Sequence, residues 1–167
     1  MISDTGPNTI IGVFYRHPSS KADKFLVQLE MTLKKLRKEN KKTIICGDFN
    51  LNLLNFDWDK NVNTFLCTML EHSFHPCITE PTRITNTNKP SLVDNIFTNT
   101  FDNPVSGNIL EQISYDHLPN FVILDHIKKN QDHQGLRRQI CKVCLRSRAK
   151  CEIISHLVIF LRFLFRY

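Results

Sequence analysis

Two short, nearly unbroken apolar runs, Thr9-Ile10-Ile11-Gly12-Val13-Phe14-Tyr15 and Thr43-Ile44-Ile45-Cys46, flank a segment whose apolar positions recur every three or four residues. The runs read as strands buried on both faces, and the segment between them as an amphipathic helix. Its apolar face is Phe25, Leu26, Leu29, Leu33 and Leu36. Ser20 and Asp23 resemble a capping box at its start, and Lys34, Lys35, Arg37 and Lys38 suit the negative end of the helix dipole. Strand, helix and strand together predict one βαβ-like unit. Gly47 closes the second run and is expected to let the backbone turn sharply. Asp48 and Asn50 then fall at the carboxyl edge of a sheet, where α/β proteins hold their ligands.

The pattern continues more weakly. A polar, asparagine-rich loop carries the single tryptophan, Trp58, and a second helix over 61–72 buries Phe65, Leu66, Met69 and Leu70. Pro76, Pro81 and Pro90 punctuate an irregular stretch containing Thr82, Arg83 and Thr85. Residues 91–97 predict a third strand with Asp94 at its middle. A carboxylate inside an apolar strand is costly unless it is paired or hydrogen-bonded. After Asn103-Pro104 come a weak strand over 105–113, the segment Ser114-Tyr115-Asp116-His117, and a last strand over 118–124. The residues before Thr9 read as a short polar lead.

Charge changes the picture at one end only. The chain of 167 residues carries a net charge of +6, yet through Asn130 there are 14 basic and 14 acidic residues. The whole excess lies beyond, in 8 basic against 2 acidic residues. The body through Asn130 is thus neutral, and its charge does not argue for a nucleic-acid partner. Residues 128–167 read as a separate basic tail, helical near its end or disordered, able to hold a nucleic-acid backbone non-specifically. Its apolar run over 153–165 is broken by His156 and Arg162 and is too short and charged to span a bilayer.

The six cysteines are Cys46, Cys67, Cys77, Cys141, Cys144 and Cys151. Nothing resembling a secretory leader precedes them, and Cys46 and Cys67 sit in apolar settings. They read as reduced thiols of an intracellular protein, not a secreted disulfide framework. Cys141, Cys144, Cys151 and His156 offer a Cys₃His set, but only the first pair has zinc-like spacing. Ordinary thiols are the expectation there.

The polar residues at strand ends carry the chemistry. Asp48, Asn50, Asp94, Asp116 and His117 assemble hard oxygen donors suited to Mg²⁺ beside an imidazole that titrates near neutrality. Asn50, and Tyr15 at the end of the first strand, add donors for an oxygen that gains charge in a transition state. Together they are the parts for metal-assisted attack of water on a phosphodiester. Each alone has a plain structural reading as a loop cap, a buried pair, a turn or a strand-end aromatic. Their coincidence in one chain favours the chemical one.

The ordered set Tyr15, then Gly47-Asp48-Phe49-Asn50, then Asp94 in Leu92-Val93-Asp94-Asn95-Ile96, then Asp116-His117-Leu118-Pro119 resembles the endonuclease/exonuclease/phosphatase superfamily. Phe14-Tyr15-Arg16-His17-Pro18-Ser19-Ser20, the helix around 29–36 and residues 91–99 are most similar to the apurinic-type endonuclease of non-LTR (LINE-like) retrotransposons. The resemblance covers about 8–126 and implies an α/β fold, a two-sheet sandwich of four layers. It implies a DNA endonuclease dependent on Mg²⁺ or Mn²⁺, which nicks target DNA for an attached reverse transcriptase and has access to the nucleus. By the same resemblance Asp48 orients or activates the water or assists the leaving group, and Asn50 stabilises the pentacoordinate phosphorus. His117 contacts a phosphate oxygen or shares in proton transfer, Asp94 orients it, Asp116 lies by the metal and Tyr15 contacts the scissile phosphate. Arg16, Thr82 and Arg83 are placed at the substrate. Tyr115 stands where the family has Ser. The family's early Asn and its metal-ligand Glu have no counterpart here, so a truncated domain with an uncovered inner sheet face and an impaired rate is expected. The alternatives are a non-catalytic remnant that binds nucleic acid through its tail, and a phosphoesterase acting on phosphoinositides or other small phosphoesters.

Overall fold

The computed structural model describes residues 2–6, 9–84, 89–100, 105–108, 116–124, 149–154 and 157–163. The predicted βαβ unit is present. Strand β2 (Thr9–Tyr15) leads through helix α1 (Ala22–Glu39) to β3 (Lys42–Asp48), and the two strands pair in parallel, Thr9 opposite Lys42 and Tyr15 opposite Asp48. Helix α2 (Lys60–Glu71) follows, then the two-residue strand β4 (His75–Pro76) and β5 (Asp94–Thr98), which runs antiparallel to β3. The residues before Thr9 are not merely a lead, since β1 (Ile2–Gly6) pairs antiparallel with β2. The first sheet therefore has the order β1-β2-β3-β5-β4.

Helix α1 forms because Leu26, Leu29, Leu33 and Leu36 make one stripe, and all four are buried. Each is worth about 1.5–3 kcal/mol of transfer free energy when fully buried. The capping box at Ser20 does not form. The N-cap is Lys21, with no side-chain hydrogen bond, because Ser20 Oγ instead donates to the carbonyl of His17 at 2.7 Å. Asn40 ends the helix in the left-handed region, φ 48°, as asparagine tolerates. In α2 the Asp59 carboxylate accepts from the backbone N–H groups of Asn61 (2.8 Å) and Val62 (3.3 Å), closing the helix start.

The period of two along the strands divides the sheet into two faces. Ile10, Ile45 and Phe97 meet the helices, together with Leu29, Leu33, Phe65 and Met69. The aromatic centre of this layer is Phe49, whose ring lies 4.9 Å from that of Phe65 and 5.6 Å from that of Phe97. The opposite face carries Ile11, Ile44, Cys46 and Ile96, packed with Ile78, Leu92 and Val122. Val122 belongs to β7 (Asn120–Leu124), which lies in a second sheet of order β6-β7-β9-β8 with β6 (Val105–Asn108), β8 (Ala149–Ile154) and β9 (Leu157–Phe163). The layers are helices, sheet, sheet. The inner face expected to be uncovered is thus packed by a strand of the second sheet.

Two further expectations change. The tail is not helical near its end, because β8 and β9 pair antiparallel there and β9 also pairs with β7. The β-branched residues Ile153, Ile154, Val158 and Ile159 favour extended backbone. The third strand begins at Asp94 rather than at Ser91, since the Leu92 N–H is taken by Asn52 Oδ1 (2.8 Å) and the Val93 N–H by Thr82 Oγ1 (3.2 Å). Cys141, Cys144, His156 and Tyr115 lie outside the described residues, as does the stretch 109–113 of the weak strand. Among the described residues Cys46, Cys67 and Cys77 are thiols rather than disulfides, although Cys67 is only half-buried. Among the described residues no helix is long and apolar enough to cross a membrane.

Candidate active site

Strand register brings the chemistry together. Tyr15 and Asp48 are opposite one another across β2 and β3, and Asp48 is opposite Asp94 across β3 and β5. By the period of two, all three share the face of Ile11, Ile44 and Ile96, the one turned toward the second sheet. The site therefore lies at the end of the inter-sheet layer, where β2 and β3 finish and β5 begins. Gly47 serves this edge differently from expected. Its φ is not positive, and a Cβ there would meet the Phe14 carbonyl oxygen at 2.0 Å. The glycine permits close approach of β2 to β3, and the bend falls on Asn50, at φ 48°.

His117 reaches this edge from a distant part of the chain. The segment around Thr82 holds it there: the Leu118 N–H donates to the Thr82 carbonyl (2.7 Å), and the Ile84 N–H to that of Asp116 (2.8 Å). Arg83 forms isolated bridges with both Ser91 and His117. The His117 imidazole then places Nδ1 2.8 Å from Asp94 Oδ2, with the Asp94 side chain fully buried. A carboxylate there makes Nδ1 the protonated nitrogen and fixes the ring's orientation. Asp48, Asp94 and His117 each offer a ligand atom, all within 4.8 Å of one another.

Electrostatics follow from this crowding. Burial, then the neighbouring Asp94 charge, raises the Asp48 carboxyl from 3.8 to about 7, against the opposing pull of His117 and the Asn50 N–H. Burial alone would lower the His117 imidazole, but the hydrogen bond and charge of Asp94, with Asp48 and Asp116 beyond, outweigh it and raise its pKa above 6.5. Asp94 Oδ1 is buried without a hydrogen-bond partner. Two carboxylates side by side with an orphaned oxygen are a donor set that a divalent cation fits.

The remaining predicted residues divide. Asn50 stands beside Asp48, its N–H on Asp48 Oδ1 (3.0 Å) and one Nδ2 proton on the Arg16 carbonyl (2.8 Å). Tyr15 is at the edge and 45% exposed. Asp116 lies outside the three-residue cluster, because its Oδ2 accepts from Arg83 Nε at 2.6 Å and its Oδ1 stays 4.0 Å from His117 Nε2. Arg83 is thus held by Asp116. Thr82 is fully buried, and its hydroxyl accepts from the N–H groups of Val93 (3.2 Å) and Asp94 (3.0 Å), setting the start of β5. Arg16 turns inward onto backbone carbonyls, donating through Nε to Phe49 (2.7 Å) and through Nη2 to Asn50 (2.7 Å). Sequence reasoning missed the anchoring part of Phe49; its place in an apolar ring cluster could be read only from the alternation that carries Phe14 to the same face.

These features define a class: a helix-backed β-sandwich with a carboxylate–imidazole cluster at one edge. The sequence profile of the endonuclease–reverse transcriptase family matches residues 9–121, and the chain belongs to that family. The endonuclease domain of TRAS1, a telomere-specific non-LTR retrotransposon, is similar in fold at 20% identity, with a TM-score of 0.58 over 71% of this chain and 59% of that one. An endonuclease/exonuclease/phosphatase family protein from Leptotrichia buccalis shares 15% identity and a TM-score of 0.52, over 75% of this chain and 52% of its own. A Staphylococcus aureus beta toxin shares 14% identity and a TM-score of 0.50, over 72% of this chain and 54% of its own. The chain therefore spans between half and three fifths of those structures. No curated protein matches it in sequence.

Proposed function

We propose that the chain is the nuclease portion of a LINE-type retroelement protein and hydrolyses DNA phosphodiesters with the help of Mg²⁺ or Mn²⁺. The observation that carries the reading is the fully buried Asp94 carboxylate 2.8 Å from His117 Nδ1, with Asp48 in the same cluster. Asp94 fixes the imidazole so that Nε2 faces a phosphate oxygen, as an aspartate orients histidine in hydrolytic triads. Asp48, beside the attacking water, accepts or returns its proton. Asn50 keeps one Nδ2 proton for the phosphoryl oxygen, and the Tyr15 hydroxyl lies on the same edge. Asp48 and the unpartnered Asp94 Oδ1 would hold a divalent cation, which would supply Lewis-acid stabilisation of the phosphoryl charge. DNA as the substrate, an attached reverse transcriptase in the parent protein and an intracellular site of action with access to the nucleus belong to this proposal.

The test is nicking of supercoiled plasmid with Mg²⁺ or Mn²⁺ by the full chain, beside Asp48→Ala and His117→Ala. Nicking by the parent chain that both substitutions abolish supports the reading. Folded parent protein that leaves the plasmid intact refutes it, and a phosphoester panel or binding assay then separates a small-phosphoester enzyme from a nucleic-acid-binding remnant.

A further inference from the structure

Arg16 makes a set of contacts that substrate binding does not require. Its backbone N–H donates to the Asp48 carbonyl (3.0 Å), and its own carbonyl accepts from Asn50 Nδ2 (2.8 Å). Its guanidinium donates to the carbonyls of Phe49 and Asn50, each at 2.7 Å, and through Nη1 to that of Ser20 at 2.8 Å. The residue is only 7% exposed. One side chain thus grips the whole turn that carries Asp48, Phe49 and Asn50, and ties it to the turn after β2. A planar fork of donors matches two adjacent carbonyls in a way a lysine ammonium cannot.

What this grip fixes is the bend of the turn. Asn50 sits at φ 48°, in the left-handed region that asparagine tolerates, and there its N–H and Nδ2 reach Asp48 Oδ1 and the Arg16 carbonyl together. Phe49 anchors one side of the turn in the aromatic cluster, with its N–H on the Val93 carbonyl at 2.9 Å. Arg16 supplies the other side. We infer that Arg16 is a positioning residue, which holds the Asn50 carboxamide and the Asp48 carboxylate in register for phosphoester chemistry without touching the substrate. The inference rests on the nuclease reading for its consequence, and on the hydrogen bonds for its geometry.

The experiment has two independent arms on the full chain. In the first, NMR follows the exchange of the Asn50 side-chain amide protons and the Asn50 N–H/Hα coupling, in the parent chain and in Arg16→Lys. The expected result is loss of the protected amide proton and of the left-handed coupling in Arg16→Lys, while the amides of β3 and β5 stay protected. An unchanged Asn50, or loss of protection throughout the sheet, overturns the inference. In the second arm, nicking by Arg16→Lys falls about 100-fold in kcat with KM changed less than about twofold, the pattern of a misplaced group rather than a lost binding contact. Millimolar guanidinium chloride then restores at least about tenfold of the loss in Arg16→Gly, by refilling the vacated fork. An unaltered kcat, or a loss that guanidinium does not relieve in folded protein, overturns it. A parent chain that never nicks defeats the nuclease reading alone, and the NMR arm still decides the role of Arg16.

Discussion

Replacing Asp48 by Asn removes a charge that the fold strains to accommodate. The carboxyl is 1% exposed and faces Asp94 across β3 and β5, which raises it from 3.8 to about 7. Between those two values the native chain holds a proton that the unfolded chain releases, so stability falls as pH rises. Each pH unit in that window costs about 1.4 kcal/mol, with a ceiling of about 4 kcal/mol across it. His117 acts in the same direction, since its raised pKa gives stability that is present below 6.5 and lost as pH climbs through the folded value. Asn at position 48 keeps an Oδ1 to accept the Asn50 N–H and adds donors beside Asp94. It also takes away one of the charges that raise His117. Urea unfolding at pH 5 and pH 8, without divalent cation, should show the parent chain losing about 2–4 kcal/mol between the two. Asp48→Asn should lose clearly less and be the more stable protein at pH 8. A parent chain equally stable at both pH values, or an Asn variant with the parental slope, would refute the argument that these carboxylates repel.

The other expectations are simpler. Mn²⁺ should raise the melting temperature of the parent chain, about 2.7 kcal/mol at 100 times the dissociation constant, with no rise in Asp94→Asn; calorimetry reads both. Leu33 is fully buried on the inner face of α1, so Leu33→Ala should cost about 2–5 kcal/mol in urea, whereas Met31→Ala, at a position 51% exposed, should stay within about 0.5 kcal/mol. Gly47→Ala sets a methyl 2.0 Å from the Phe14 carbonyl oxygen, and because that neighbour is backbone the strands must part. Its cost should exceed the usual overpacking penalty of about 1–3 kcal/mol, visible as insolubility or a lowered unfolding midpoint.

Local patterning sufficed for the βαβ unit. The Leu26 to Leu36 stripe and the runs ending in Tyr15 and Cys46 have strong periods, and a period reports which face a residue turns to the core. The ordered polar residues were enough to name the family and to pick out Asp48, Asp94 and His117. Short-range cues failed where other contacts competed with them. Ser20 bonds locally to His17 rather than capping α1, and the more distant Asn52 and Thr82 take the N–H groups that would have extended β5 back to Ser91. The strands in the tail depend on pairing with each other and with β7. No periodicity argument could find them in a stretch that mixes basic and apolar residues.

The site shows the division most clearly. The residue types and their order along the chain were legible from the start, because a polar cluster at a strand edge shows in the sequence as carboxylates, amides and imidazoles set against apolar runs. Which of them meet was not legible. Asp48 and Asp94 become neighbours through antiparallel register, His117 through hydrogen bonds from the 82–84 segment, and Asp116 is drawn away by Arg83. Arg16 has the composition of a phosphate binder and the geometry of a clamp. A guanidinium is chemically fit for either carbonyl or phosphate oxygens, and only the folded backbone, by presenting three carbonyls to it inside the protein, decided between them.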